Sequence, residues 1–198
     1  DIPENWQWTK LGFIADFSLG KTPSKDNPVF WQNGKYPWVT IKDLNDNMFV
    51  ENTNNYVSEQ AGEKVFKCPP CPPETILMSF KLTIGKISKL KIPAYHNEAI
   101  VSIKPYLDEI EPYLFLALPK FAKEGSFKNA IKGKTLNKES LKNIWIPLPP
   151  LDEQLKIVEK TEKINSLLEK IESKRKENLL IGNEILQSFI EKLREVDV

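Results

Sequence analysis

The chain has 198 residues, 40% apolar and 28% charged, with a formal net charge of +1, which leaves room for one domain of roughly 150 residues plus an appendage. No apolar run approaches the roughly 20 residues of a membrane-spanning helix, and Asp1-Ile-Pro-Glu-Asn-Trp6 lacks the basic start and apolar stretch of a signal peptide, so a cytoplasmic protein without a membrane partner is expected. Residues 1–150 carry 19 Lys, no Arg and 16 acidic residues, and residues 151–198 carry 9 basic and 11 acidic ones, so bulk charge alone does not point to nucleic acid.

From Trp6 to Leu19 the chain alternates loosely and then breaks at Gly20-Lys-Thr-Pro-Ser24, a loop composition. Asn33-Gly34 marks a turn leading into Tyr36-Pro-Trp-Val-Thr-Ile41, whose aromatic and β-branched residues predict a strand. A polar loop, Lys42 to Asn47, follows. Cys68 and Cys71 are the only cysteines; with a single histidine and prolines after each cysteine, the Cys-Pro-Pro-Cys segment reads as a structural turn with free or incidentally oxidised thiols. Thr75–Phe80 and Ile84–Leu90 predict two strands around a short turn, and Ala99–Lys104 a third. Ile110–Phe121 carries a helical apolar face at Tyr113, Leu116, Ala117 and Phe121. Leu141–Leu148 predicts an extended segment in which Pro147 ends strand pairing.

These elements make the body α+β. A proline-stiffened junction, Trp145-Ile-Pro-Leu-Pro-Pro-Leu-Asp-Glu-Gln154, then feeds a charged segment free of proline. Asp152–Leu193 predicts one long helix, roughly 60–65 Å at 1.5 Å per residue, with acidic residues at its positive end. Ile157, Ile164, Leu168 and Ile171 keep heptad-like spacing, Arg175, Asn178 and Gly182 then fall where the same register wants apolar residues, and the stripe resumes with a one-residue phase slip at Leu179, Leu186, Ile190 and Leu193. Such a stripe needs a protein surface beyond the body, and a homodimer through the helix is the expectation.

No motif carries catalysis. Gly20-Lys-Thr22 and Gly133-Lys-Thr135 end like P-loops, but Ala15 and Lys128 stand where the leading glycine belongs. Dinucleotide-binding, metalloprotease and serine-hydrolase signatures are missing, and His96 has no Cys or Ser partner in sight. No catalytic residue, metal site or cofactor is expected on this chain. Two lysine groups remain: Lys81, Lys86, Lys89 and Lys91 without an intervening acid, and seven lysines from Lys120 to Lys142 against Glu124 and Glu139. Either can neutralise phosphates or simply be a solvated surface.

The order of segments resembles one repeat of a type I restriction-modification DNA specificity (S) subunit. The resemblance rests on Pro3-Glu-Asn-Trp6, Lys10-Leu-Gly-Phe-Ile14, Gly20-Lys-Thr-Pro-Ser24 and Trp31 to Thr40. It continues through Ile76–Phe80 with Ile84-Gly85, His96-Asn-Glu-Ala-Ile100, Gly133-Lys-Thr-Leu-Asn137 and Ile146 to Val158. It covers essentially the whole chain; each segment is weak alone, and their order with the Pro-Leu-Pro-Pro-Leu-x-Glu-Gln junction is what is specific. It implies a half-S form, with residues 1–148 as a target-recognition domain and residues 149–198 as a helix for dimerisation, spacing and methyltransferase docking.

The resemblance further implies double-stranded DNA, methyltransferase subunits and, through the complex, restriction subunits as partners, with S-adenosylmethionine, ATP and Mg on those partners. Loop residues able to meet phosphates or base edges are then Lys21, Thr22, Ser24, Lys25, Lys42, Asp43, Ser79, Lys81, Thr83, Lys86, His96, Asn97, Lys132, Lys134 and Thr135. For Asp43, capping a turn is the competing role, and Trp31, Tyr36 and Trp38 read as loop or core anchors. The alternative from another class is a coiled-coil oligomerising module whose body binds a protein.

Overall fold

The computed structural model describes residues 2–45, 48–81, 83–124 and 138–196, with side chains as far as Ile190. Two compact units divide the chain, residues 1–154 and residues 155–198.

In the first unit, β1 (Gln7–Lys10), a helical turn α1 (Leu11–Ile14) and β2 (Ala15–Leu19) resolve the loosely alternating start. Ala15 and Phe17 are buried and Asp16 and Ser18 exposed, the alternation of a strand with one wet face. β2 pairs antiparallel with β9 (Ile100–Pro105), Phe17 opposite Ile103. Inward from β9 lies β6 (Ile76–Ser79), then β7 (Ile87–Leu90), and parallel to it β4 (Met48–Val50). Every residue of β6 is buried, because the strand is central and covered on both faces, which is why Ile76-Leu-Met78 reads as a continuous apolar run and not as an alternation. A second sheet is built on β3 (Tyr36–Val39), antiparallel to β5 (Tyr56–Val57) and parallel to β8 (Tyr95–His96).

Two apolar clusters of this unit lie wholly among the described residues. Val39, Leu44, Val50, Leu77, Leu90, Ala94 and Ile100 form one. Trp38, Val57, Ala61 of the short helix α2 (Glu59–Ala61), Phe66 and Tyr95 form the other, with Phe66 stacked on Tyr95 at 3.9 Å between ring centroids. Each fully buried aliphatic side chain here contributes about 1.5–3 kcal/mol of transfer free energy.

Four expectations need correction. The strand from Tyr36 stops at Val39, because Ile41–Asp43 forms a 3-10 turn in which Asp43 accepts from Thr40. The second strand of the hairpin begins at Ile87; Gly85 takes φ of +78°, so Ile84–Lys86 belongs to the turn. Leu141 is helical, in α4 (Lys138–Lys142) rather than in an extended segment. Pro147 does not end pairing. β10 (Trp145–Leu148) pairs with β1 throughout, Pro147 opposite Trp8. The Pro147 carbonyl accepts from the Tyr113 hydroxyl at 2.6 Å, so its edge faces away from β1 and the missing N–H costs no ladder bond.

The helix expected from Ile110 runs as α3 (Glu111–Glu124), with Pro119 inside it. Cys71 exchanges backbone hydrogen bonds with Ala94, and both cysteines are free thiols. The proline junction ends in a continuous 46-residue helix, α5 (Leu151–Val196). Its first turn belongs to the first unit: Gln154 is buried and donates to the Pro149 carbonyl at 2.8 Å. Among the described residues no helix is long and apolar enough to cross a membrane.

Candidate nucleic-acid interface

β2 and β6 end, and β9 begins, at the same end of the first sheet, and β3 and β8 end beside them. Backbone hydrogen bonds tie the segments together: Gly20 N to Ile100 O at 3.3 Å, Lys21 N to His96 O at 3.0 Å, Asn97 N to Val39 O at 3.0 Å and Phe80 N to Ala99 O at 3.0 Å. Residues 20–25, 40–43, 80–81 with 83–86, and 96–99, far apart in sequence, thus form one surface. Gly20 makes the junction possible. A Cβ there would lie 2.1 Å from the Asn97 carbonyl and 2.2 Å from that of His96, so the loop could not dock with any side chain at this position.

Trp31 and Trp38 are the anchors beneath it. The Trp38 indole N–H donates to Lys21 O at 3.0 Å and the Trp31 indole N–H to Ser24 O at 2.9 Å, while the two rings meet edge-on at 5.1 Å.

Of the fifteen loop residues singled out from the sequence, Ser24, Lys25, Lys42 and Thr83 are exposed on this surface. Lys81 is half-buried with its ammonium over the Phe80 ring, and Asn97 is half-buried, its Oδ1 accepting from Ala99 N at 3.1 Å. Lys21 and Lys86 belong to the surface but spend their ammonium groups on backbone carbonyls, Val65 O at 2.9 Å and Ile41 O at 3.1 Å. Thr22 donates to Glu98. Asp43 takes the capping alternative, accepting from Thr40 N at 2.7 Å and its hydroxyl at 2.8 Å.

Ser79 and His96 are corrections. Both side chains are buried, and Ser79 bonds the hairpin turn through Thr83 O and the Lys86 backbone. Neither presents a polar atom to a groove. Burial pushes the His96 imidazole down to about pKa 4 against partial opposition from backbone hydrogen bonds at Asn97 and Ile100, so it is neutral at physiological pH. Lys132, Lys134 and Thr135 lie outside the described residues.

The run of four lysines without an acid is also less free than its sequence suggests. The Lys89 ammonium sits 2.8 and 2.9 Å from the two carboxylate oxygens of Glu111, and Lys91 lies 4.3 Å from the Phe49 ring centroid. Long-range pairing, invisible in sequence order, occupies the Lys89 ammonium, while Lys91 stays exposed beside Phe49.

One residue of this surface was not singled out: Glu98, exposed between Asn97 and Ala99. The Thr22 hydroxyl holds its carboxyl below the usual carboxylate range against the opposing effect of burial, and Lys81 and Lys25 add to the lowering. Its place in His96-Asn-Glu-Ala-Ile100 was the available signal, but a carboxylate is an unusual choice where phosphates are expected.

Comparison with known proteins agrees with this architecture. The model of the type I restriction modification DNA specificity domain matches residues 3–180. The chain is 26% identical over 172 residues to the Type I restriction enzyme EcoR124I/EcoR124II specificity subunit of Escherichia coli, covering 83% of this chain and 42% of the relative. A solved chain of a type I R-M system superposes with a TM-score of 0.65 at 21% identity, over 86% of this chain and 41% of that one. The HsdS subunit from Thermoanaerobacter tengcongensis superposes at 0.58 and 22% identity, over 84% and 39%. The chain therefore spans about two fifths of the length of these relatives. With most of its length matched by the family model, the chain belongs to the type I restriction modification DNA specificity domain family.

Proposed function

We propose that this chain is a non-catalytic, sequence-specific DNA-binding specificity subunit that reads half of a bipartite duplex target. The observation that carries this reading is the convergence of loop residues 20–25, 40–43, 80–81 with 83–86, and 96–99 into one surface bearing Lys25, Lys42, Lys81, Ser24, Thr83 and Asn97. Lysine supplies phosphate neutralisation, and Asn97 and the hydroxyls supply groups that can meet base edges. Residues 1–148 act as the recognition domain. Residues 149–198, through the helix α5, dimerise the chain, set the spacing and dock methyltransferase subunits; restriction subunits join through that complex.

S-adenosylmethionine then belongs to the methyltransferase partner, and ATP with Mg to the restriction partner. Two copies related by a two-fold axis present two equivalent readers, so the target is a symmetric bipartite site. Selection of duplexes from a random pool, with the methyltransferase partner present, tests this. A symmetric two-part consensus with salt-dependent affinity is expected; binding without preference among random duplexes overturns it.

A further inference from the structure

We infer that Glu98 is a positioning residue: it latches the Gly20–Lys25 loop onto the His96–Glu98 turn through the Thr22 hydroxyl, fixing where Lys25 meets the DNA backbone. The inference rests on the DNA-binding reading above and deepens it.

The loop is held at its base by backbone bonds, Gly20 N to Ile100 O and Lys21 N to His96 O, and from below by the two indoles. None of these ties involves a side chain of the loop's own outer face. Thr22 to Glu98 does, and it joins two segments 76 positions apart in sequence. The carboxylate also faces Lys25 and Lys81, which lower its pKa after the Thr22 bond. A negative charge on a phosphate-facing surface is unfavourable by itself. Here Lys25 and Lys81 offset it in part, and the Thr22 bond gives the carboxylate a structural use. Fixing the loop that carries Lys25 before DNA arrives lowers the ordering cost of the complex.

A base-reading role for the same carboxylate, accepting from a cytosine or adenine amino group, makes a different prediction. A reader lost by truncation relaxes preference at one base pair, whereas a latch lost weakens all duplexes alike.

The test measures binding of the selected duplex and of single-position variants by the full chain with its methyltransferase partner. Under the latch, E98A and T22V each weaken binding about tenfold, equally for every variant duplex. The double substitution is no weaker than either single one, because both break one bond. E98Q, whose amide oxygen still accepts from Thr22, restores affinity to within about threefold. The thermal midpoint of each variant stays near that of the unsubstituted chain, since the pair lies at the surface. Three results overturn the latch: unchanged affinity in E98A, independent losses in the double variant, or relaxed preference at one base pair. If the unsubstituted chain selects no consensus, the DNA-recognition reading itself falls and takes the latch with it; if it selects one and E98A matches it, only the latch falls.

Discussion

The Trp6 indole N–H donates to Glu153 Oε2 at 2.8 Å, joining the first turn of α5 to a segment 147 positions earlier. Asn5 donates to the other oxygen of the same carboxylate, so the Pro3-Glu-Asn-Trp6 entry and the Leu151-Asp-Glu-Gln154 exit close on each other. The two segments that looked like separate signatures in sequence are halves of one hydrogen-bonded clasp. Glu153→Ala removes the acceptor of two donors in a partly buried, charge-assisted arrangement, a change that costs about 1.5–3 kcal/mol. Thermal unfolding followed by Trp fluorescence should show a midpoint lowered by several degrees, with Trp6→Phe giving a smaller loss in the same direction. A midpoint unchanged in both variants means the clasp contributes nothing to stability.

Gly20→Ala tests the loop junction. The added Cβ meets two carbonyl oxygens and the His96 Nδ1 at 2.1–2.4 Å, all of them too near to be relieved by a side-chain rotation of the alanine. The loop must lift, breaking Lys21 N to His96 O, and the expected cost is about 1–3 kcal/mol. Hydrogen exchange at Lys21 should accelerate in the variant while exchange in β6, at the centre of the sheet, stays slow. Equal protection of Lys21 in both proteins contradicts the close approach.

His96 gives a pH signature. Its folded pKa of about 4 lies below the ordinary value of 6.5, so as pH falls the unfolded chain takes up a proton that the folded chain refuses. The stability associated with neutral, buried His96 is intact above about pH 6.5 and is lost as pH falls toward 4, by about 3 kcal/mol in total. Urea unfolding at pH 7, 6 and 5 should therefore show a steeper loss for the unsubstituted chain than for His96→Asn. Carboxylates titrate in both proteins, so the difference between the two curves isolates the imidazole; parallel curves exclude the shift.

Local chemistry explains which parts were legible beforehand. β6 and β9 were readable because consecutive or alternating apolar residues bounded by polar turns leave few alternatives, and α5 because nothing in it interrupts a helix. The errors fall where tertiary contacts override local preference. Pro147 stays in a strand because Tyr113, 34 positions earlier, takes its outward carbonyl. Leu141 enters a helix that its β-branched and aromatic neighbours, Ile144 and Trp145, hide. For the candidate surface, loop composition pointed to Lys25 and Lys42, which are exposed there, but residue type cannot show that Lys21, Lys86 and Lys89 are bound to Val65, Ile41 and Glu111. Glu98 went unnoticed for the complementary reason: its significance lies in Thr22, not in its neighbours.

The apolar stripe of α5 carries the last prediction. Ile164, Leu168 and Ile171 are 57%, 53% and 62% exposed, and Leu179 and Leu186 are 67% and 58% exposed. Leu193, expected in the same stripe, lies beyond the described side chains. Arg175, Asn178 and Gly182 stand near the middle of the stripe, where its register slips by one residue, so a second copy aligned antiparallel sets each apolar half against its counterpart and leaves the polar positions to meet at the centre. Covering a buried Ile or Leu contributes about 1.5–3 kcal/mol, and 1.4 kcal/mol is a tenfold change in affinity. Replacing Ile164, Leu168 and Ile171 with Asp should therefore weaken self-association by at least about 100-fold. Light scattering at tens of micromolar should report a dimeric mass for the unsubstituted chain and a monomeric mass for the triple variant, with the near-ultraviolet signal of the tryptophans, all in residues 1–154, unchanged. A monomeric mass for the unsubstituted chain ends the dimer proposal, and loss of the tryptophan signal in the variant assigns the stripe to the body instead.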